Sequence, residues 1–247
     1  GEPLILIHGF GGSKDNWIYF AKALTPQYRV IIPDLPGFGD SSKPQDKSYS
    51  IKEQVKRVDQ FLAALKINKA HFVGNSMGGS IAGMYSITYP QKVKTLALFD
   101  TGGVMSPIKS ELFLLREKGI NPLVVKETGD FDRLLRMNFY TPPRIPSIIK
   151  KYLASQAIQA APMNELIFGE LSQGDMWTLG DNLDKIQAPT LIVWGDSDKI
   201  LHVSTVDILK KNIKNSTVVI IKECGHVPML EKPRETAAAY RAFLGRK

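Results

Sequence analysis

Apolar residues fall along this chain in two rhythms that take turns. Short, mostly apolar runs occur at residues 4–7, 28–32, 70–74, 93–99, 190–194 and 217–221. Runs this short, closed by turn residues, read as buried strands. Between them, apolar positions recur every three or four residues. Residues 13–24 carry Trp17, Phe20 and Leu24 at that spacing. Residues 51–65 carry Ile51, Val55, Val58, Leu62 and Leu65, with Lys52, Glu53, Lys56 and Arg57 turned outward. That period of about 3.6 predicts helices, and residues 77–89, 203–211 and 234–244 follow it too. Strands alternating with helices predict a parallel sheet covered by helices on both faces.

From about residue 104 to 180 the strand rhythm stops. Helical patterns alone remain, at residues 107–118, 131–139, 146–161 and 163–171, punctuated by Pro122, Pro142, Pro143, Pro146 and Pro162. The expected organisation is therefore an α/β core in two parts, residues 1–103 and 181–247, interrupted by a helical cap insertion at residues 104–180. There are no internal repeats and no low-complexity segment. Within the cap, Leu112, Leu115, Ile148, Ile149, Tyr152 and Leu153 form apolar faces that either pack it onto the core or shape a lipid-sized pocket.

Composition changes this picture little. The 247 residues are 43% hydrophobic and 23% charged, an ordinary globular balance for one large domain or one domain with a cap. One cysteine, Cys224, excludes an intrachain disulfide and is expected to be a buried filler. The net charge of +8 is spread over Lys43, Lys47, Lys52, Lys56, Arg57, Lys150, Lys151, Lys210, Lys211 and Lys214. No aromatic residues interleave with these in a nucleic-acid pattern, so no nucleic-acid partner is expected. The basic surface is expected to be solvated, with weak attraction to an anionic membrane surface as its functional alternative. No apolar run reaches the roughly 18–20 residues that cross a bilayer. No signal peptide is visible, and the cellular address stays open.

The chemistry concentrates at Gly74-Asn75-Ser76-Met77-Gly78. This G-x-S-x-G sits directly after a predicted strand and before a predicted helix, the setting of a nucleophile elbow. Glycines on either side let strand and helix approach without a Cβ clash. The helix N-terminus then faces the serine with free backbone N–H groups, which favour negative charge. A serine hydroxyl needs a base. Of His8, His71, His202 and His226, the last lies in the loop after the final strand, in Glu223-Cys224-Gly225-His226. His202 is the second candidate; His8 is expected to buttress a loop, and His71 lies inside a strand. The base needs an acid to fix its tautomer. Asp198, in Gly195-Asp196-Ser197-Asp198, is the first choice, with Asp196 and Asp100 as rivals. An oxyanion hole takes two N–H donors. They are expected from the backbone of Met77 and from that of Phe10 in His8-Gly9-Phe10-Gly11-Gly12. Residues 34–39 read as a structural turn. No metal-ligand spacing and no phosphate-cradling loop occurs, so no cofactor and no metal is expected.

The stretches HGFGGSKDNW, GNSMGG, LIVWGDSD and CGHVPMLEKP resemble the α/β-hydrolase fold. The nearest likeness is to membrane-associated α/β-hydrolase-domain monoacylglycerol lipases and their bacterial lipase relatives. QVKRVDQFLAALKINK and NLDKIQAPTLIVWG carry the same likeness, which is weakest over residues 104–180. The resemblance implies a serine carboxylester hydrolase acting on an acyl ester or acylglycerol, a triad of Ser76, Asp198 and His226, and an oxyanion hole from Phe10 and Met77. It implies no cofactor, and relatives attached to membranes through an N-terminal segment. Hydrolases of this fold carry further strands before the HG loop, so a piece preceding Gly1 is expected. Two rivals remain: a carbon–carbon bond hydrolase of the same fold, whose substrate carboxylate Arg133, Arg136 or Arg144 would bind, and a non-catalytic binding protein.

Overall fold

The computed structural model describes residues 1–174 and 176–245. Six strands form one sheet, β1 (Glu2–Ile7), β2 (Tyr28–Ile31), β3 (Ala70–Asn75), β4 (Val93–Phe99), β5 (Thr190–Gly195) and β6 (Ser216–Ile221). Their order is β2-β1-β3-β4-β5-β6 and every pairing is parallel. The sheet expected to be mostly parallel is thus wholly parallel among the described residues. Parallel neighbours need crossovers, and the helices that make them cover both faces.

Side chains alternate across the sheet with a period of two. Ile5, Ile7, Phe72, Leu96, Leu98, Ile192 and Trp194 enter one core, with α2 (Ile51–Ala64) and α3 (Met77–Thr88) packed on it. Leu4, Leu6, Val73, Ala97, Phe99, Leu191 and Val193 enter the other, under α1 (Ile18–Lys22) and α10 (Pro233–Leu244). Strands buried on both faces explain why the runs read as continuously apolar.

Between β4 and β5 lie α4 (Glu111–Glu117), α5 (Thr128–Asn138), α6 (Ser147–Gln159) and α7 (Ala161–Gln173). The chain after β5 forms α8 (Thr205–Asn212), and a short α9 (Pro228–Glu231) follows β6.

Two expectations need correction, and one short helix went unforeseen. Residues 13–24 are not one helix. Ser13 caps a 3-10 turn, Lys14–Trp17, in a reciprocal box with Asn16, and the α-helix starts only at Ile18. Residues 107–110 precede α4 rather than belong to it, because the Ser110 hydroxyl accepts the Phe113 N–H and sets the start. The four-residue α9 is too short to show a period.

The strand order reverses between β1 and β3, so the loops leaving their carboxyl ends diverge and open a crevice there. Glycine permits the contacts behind it. A Cβ on Gly74 would lie 2.1 Å from the Gly78 carbonyl oxygen, and one on Gly78 would lie 2.3 Å from that of Ile7. Both neighbours are backbone and cannot swing away. Gly74→Ala is expected to lower the unfolding free energy by about 3 kcal/mol or more, read by urea denaturation. A loss below about 1 kcal/mol would mean that strand and helix have slack at this corner.

Candidate active site

Ser76 sits between β3 and α3 with φ +55° and ψ −122°. A non-glycine residue in that region is strained by about 1–3 kcal/mol and persists only when its surroundings over-determine it. Here they do. The Ser76 N–H donates to the Phe99 carbonyl at 3.0 Å, and the Ser76 carbonyl accepts from Gly79 and Gly102, each at 2.9 Å. The β1 loop closes the other side: a Cβ on Gly9 would lie 3.0 Å from the Ser76 Cβ.

His226 follows β6. Its Nδ1 is 2.8 Å from Asp198 Oδ2, and both residues are buried. Asp198 Oδ1 accepts the N–H groups of Ile200 and Leu201 at 2.8 and 3.0 Å. The carboxylate thus fixes a proton on Nδ1 and leaves Nε2 as the ring nitrogen free for proton transfer. Ser76 and His226 line one cavity of about 630 Å³, together with Gly9 and Phe10. The backbone N–H groups of Phe10 and Met77 make no hydrogen bond to a described residue. Met77 opens α3, where the helix dipole adds positive potential.

The other candidates have other partners, although His202 lines a cavity that reaches Ser76 and Asp100 lies beside Asp198. His8 is buried, with Nδ1 bonded to the Gly9 carbonyl at 2.8 Å and Nε2 accepting the Leu35 N–H at 2.9 Å. Burial pushes its pKa down, against the raising effect of the Gly9 bond, so the neutral ring holds the glycine loop. His71 bonds Thr95 and Glu2 at the far end of the sheet. His202 Nδ1 is 3.0 Å from the Ser204 hydroxyl and accepts the Ser204 N–H, so it serves its own loop. Asp196 pairs with Ser197 and Lys222. Asp100 Oδ1 accepts the Gly195 N–H at 2.9 Å. Arg133 pairs with Asp130, and none of Arg133, Arg136 and Arg144 is among the described residues lining either cavity beside Ser76. Cys224 is buried, which pushes its thiol up. The turn after β2 is structural: Asp34 accepts from the backbone of Lys14 and Asp40 at 2.7 and 2.9 Å, joining two loops beside the crevice.

A second cavity of about 480 Å³ also reaches Ser76. Met77, Val104, Leu112, Phe113, Phe168 and Leu171 give it an apolar wall. Phe10 lines both cavities.

The family is decided by comparison. Residues 2–233 match the model of the alpha/beta hydrolase fold family. The chain belongs to that family. Lipase 1 of Psychrobacter immobilis is 39% identical over 98% of this chain and 77% of its own length. Mouse monoacylglycerol lipase ABHD6 is 34% identical over 98% of this chain and 75% of its own. The crystal structure of a membrane phospholipase A, described as a bacterial virulence factor, superimposes with a TM-score of 0.97. It is 48% identical, over 99% of this chain and 79% of that one. This alpha/beta hydrolase is a serine carboxylester hydrolase, and the resemblance read from its motifs holds.

Two positioning residues escaped the sequence reading. Asn75, the variable position before the serine, donates from Nδ2 to the carbonyls of Phe99 and His226 at 3.1 and 3.0 Å. It ties the elbow to the histidine loop. Glu231, on α9, accepts the N–H groups of Gly225, Tyr140 and Thr141 at 2.7, 3.1 and 2.7 Å. It joins the histidine loop to the segment after α5. Neither has a local signal, because the bonds from Asn75 to His226 and from Tyr140 and Thr141 to Glu231 span 90 residues or more. Glu231→Ala removes the acceptor of three N–H groups, of which those of the exposed Tyr140 and Thr141 then turn to water. It is expected to cost about 1–2 kcal/mol, seen as a lower unfolding midpoint, and a midpoint equal to the parent's would contradict this account.

Proposed function

We propose that Ser76, His226 and Asp198 hydrolyse acyl esters of the acylglycerol class through an acyl-enzyme, with the backbone N–H groups of Phe10 and Met77 as the oxyanion hole. The carrying observation is the 2.8 Å bond from His226 Nδ1 to Asp198, made by a histidine that shares a cavity with the strained Ser76. His226 Nε2 takes the Ser76 proton as Oγ attacks the ester carbonyl. The tetrahedral oxyanion turns toward Phe10 and Met77, donors worth about 2.7–4 kcal/mol each in such sites. The imidazolium, held by Asp198, protonates the departing alcohol. Water, deprotonated by the same imidazole, then releases the acid.

The two cavities divide the substrate. The apolar one, walled by Val104, Leu112, Phe113, Phe168 and Leu171, takes the acyl chain. The larger one has Ser13, Asn16, Gln156 and Asn164 among its lining residues, and takes the more polar alcohol. Residues 104–180 act as a cap, since they contribute walls to both. The names of the related lipases, monoacylglycerol lipases and phospholipase A support lipid esters as substrates.

The cap also serves as the face that meets the lipid surface. On α6, Ile148, Ile149, Tyr152 and Leu153 are 77, 49, 63 and 39% exposed and lie on one side at helical spacing. Leu153 and Ala157 of the same helix line the larger cavity. Residues 133–164 contain Arg133, Arg136, Arg144, Lys150 and Lys151 and no acidic residue. Arg133 and Lys150 pair with Asp130 and Asp132, whereas Arg136, Arg144 and Lys151 make no ion pair with a described residue. An apolar stripe flanked by these three cations suits an anionic phospholipid surface. Among the described residues, no helix is long and apolar enough to cross a membrane.

A fluorophosphonate is expected to label the parent and not Ser76→Ala. The parent is expected to turn over monoacylglycerols and acyl aryl esters but not a vinylogous diketone. Labelling that survives in Ser76→Ala, or turnover of the diketone alone, would overturn the reading. In co-sedimentation, vesicles containing phosphatidylglycerol should retain the protein more than pure phosphatidylcholine does. Ile148→Asp with Tyr152→Asp should lower that retention about tenfold. Unchanged retention would remove α6 from the contact.

A further inference from the structure

Asp100 directly follows β4 with φ +42°, in the left-handed region, and its side chain is wholly buried. Oδ1 accepts the Gly195 N–H at 2.9 Å. Oδ2 is equally buried and receives no hydrogen from any described residue. The titratable groups around it come from three elements. Asp198 lies on the loop after β5, Cys224 and His226 on the loop after β6, and Glu231 on α9. One carboxyl oxygen each from Asp100 and Asp198 and one ring nitrogen of His226 all lie within 4.8 Å of one another.

The two carboxyl groups are unequally provided for. Asp198 has two backbone donors on Oδ1 and the imidazole on Oδ2, an arrangement that holds a negative charge. Asp100 has one donor. Two carboxylates this close in a dry site cannot both ionise, so a proton resides on the less favoured one. Burial, and then the charge of Asp198, push Asp100 well above the ordinary carboxylate range.

We propose that Asp100 is a neutral carboxylic acid whose Oδ2–H donates to the Asp198 carboxylate, making Asp100 a positioning residue for the Asp198–His226 pair. The idea rests on the reading of Ser76, Asp198 and His226 as the reacting set. It gives the unpartnered oxygen a role: Oδ2 is a donor, and an Asp198 carboxyl oxygen lies within 4.8 Å of the Asp100 carboxyl group as its acceptor. It also holds Asp198 as the ionised member and spreads its charge over a further hydrogen bond. That moderates its pull on the imidazolium, which must later release its proton to the departing alcohol.

Asp100→Asn keeps the size, the neutrality and an N–H donor. Its kcat is expected within about threefold of the parent, with the acidic limb of the kcat/KM pH profile unmoved. An ionised Asp100 gives the opposite result. Removing that charge beside the imidazole would shift the limb toward lower pH by about one unit, and such a shift overturns the proposal. Asp100→Leu removes the donor. It is expected to lower kcat by a factor on the order of ten or more and to move the limb toward higher pH, while Asn restores both. A folded Leu variant with the parent's kcat and profile would also overturn it. An infrared difference spectrum, parent minus Asp100→Asn at neutral pH, needs no activity. It should show the carbonyl stretch of a protonated carboxylic acid, shifted in deuterium oxide, and its absence refutes the proposal. Failure of the parent to label at Ser76 would instead sink the reading of the reacting set and leave the infrared result standing.

Discussion

The crevice depends on backbone packed against backbone at two corners of the sheet. At the first, Gly74 and Gly78 bring β3, α3 and the β1 loop so close that one Cβ would strike a carbonyl. At the second, a Cβ on Gly195 would lie 2.1 Å from the Gly225 carbonyl oxygen, and one on Gly225 would lie 2.4 Å from that of Asn138. Ser76 is held at the first corner and His226 beside the second. Because the obstructing atoms are main chain, neither corner can relax by turning a side chain. The strain at Ser76 is therefore kept in place rather than relieved.

A parallel sheet carries these corners to a common edge. Each of β3, β4, β5 and β6 ends at the same side, and each delivers one polar group there: Ser76, Asp100, Asp198 and His226. Among the described residues, three of the four non-glycine residues with positive φ lie beside this edge, Ser76, Asp100 and Glu223. Long-range bonds then lock the loops to one another. Asn75 reaches across to the His226 carbonyl, and Glu231 gathers three N–H groups from two segments. Asp100, Asp198 and His226 are buried, so their few hydrogen bonds act at low dielectric, where an unpaired group costs most. That condition is also what makes two acids beside one imidazole inequivalent.

The reading of the chain went furthest where one period ran long. The apolar runs located all six strands to within two residues; β3 and β5 are buried at every position, and the edge strands β2 and β6 are only partly covered. It failed where a local bond competed with the period. Ser13 and Asn16 tighten the start of α1 into a 3-10 turn, and Ser110 delays the start of α4. The elbow, His226 and Asp198 were legible because the fold ties each to a place after a given strand. His8 was legible as a buttress, since it stands before glycine at a strand end, and its ring does grip Gly9.

By itself, the sequence determined the alternation that makes the sheet parallel, the glycines that admit a tight serine corner and the order in which the polar groups appear. Those follow from short-range sterics and periodicity, which act over a few residues. Only the tertiary structure decided which histidine meets which acid, that Asn75 and Glu231 bind the loops together, and that Asp100 lies beside Asp198 rather than replacing it. It also decided that two cavities meet at Ser76. Each of these is a contact between residues far apart in the chain, set by the way strand ends converge, and no local pattern encodes such a distance.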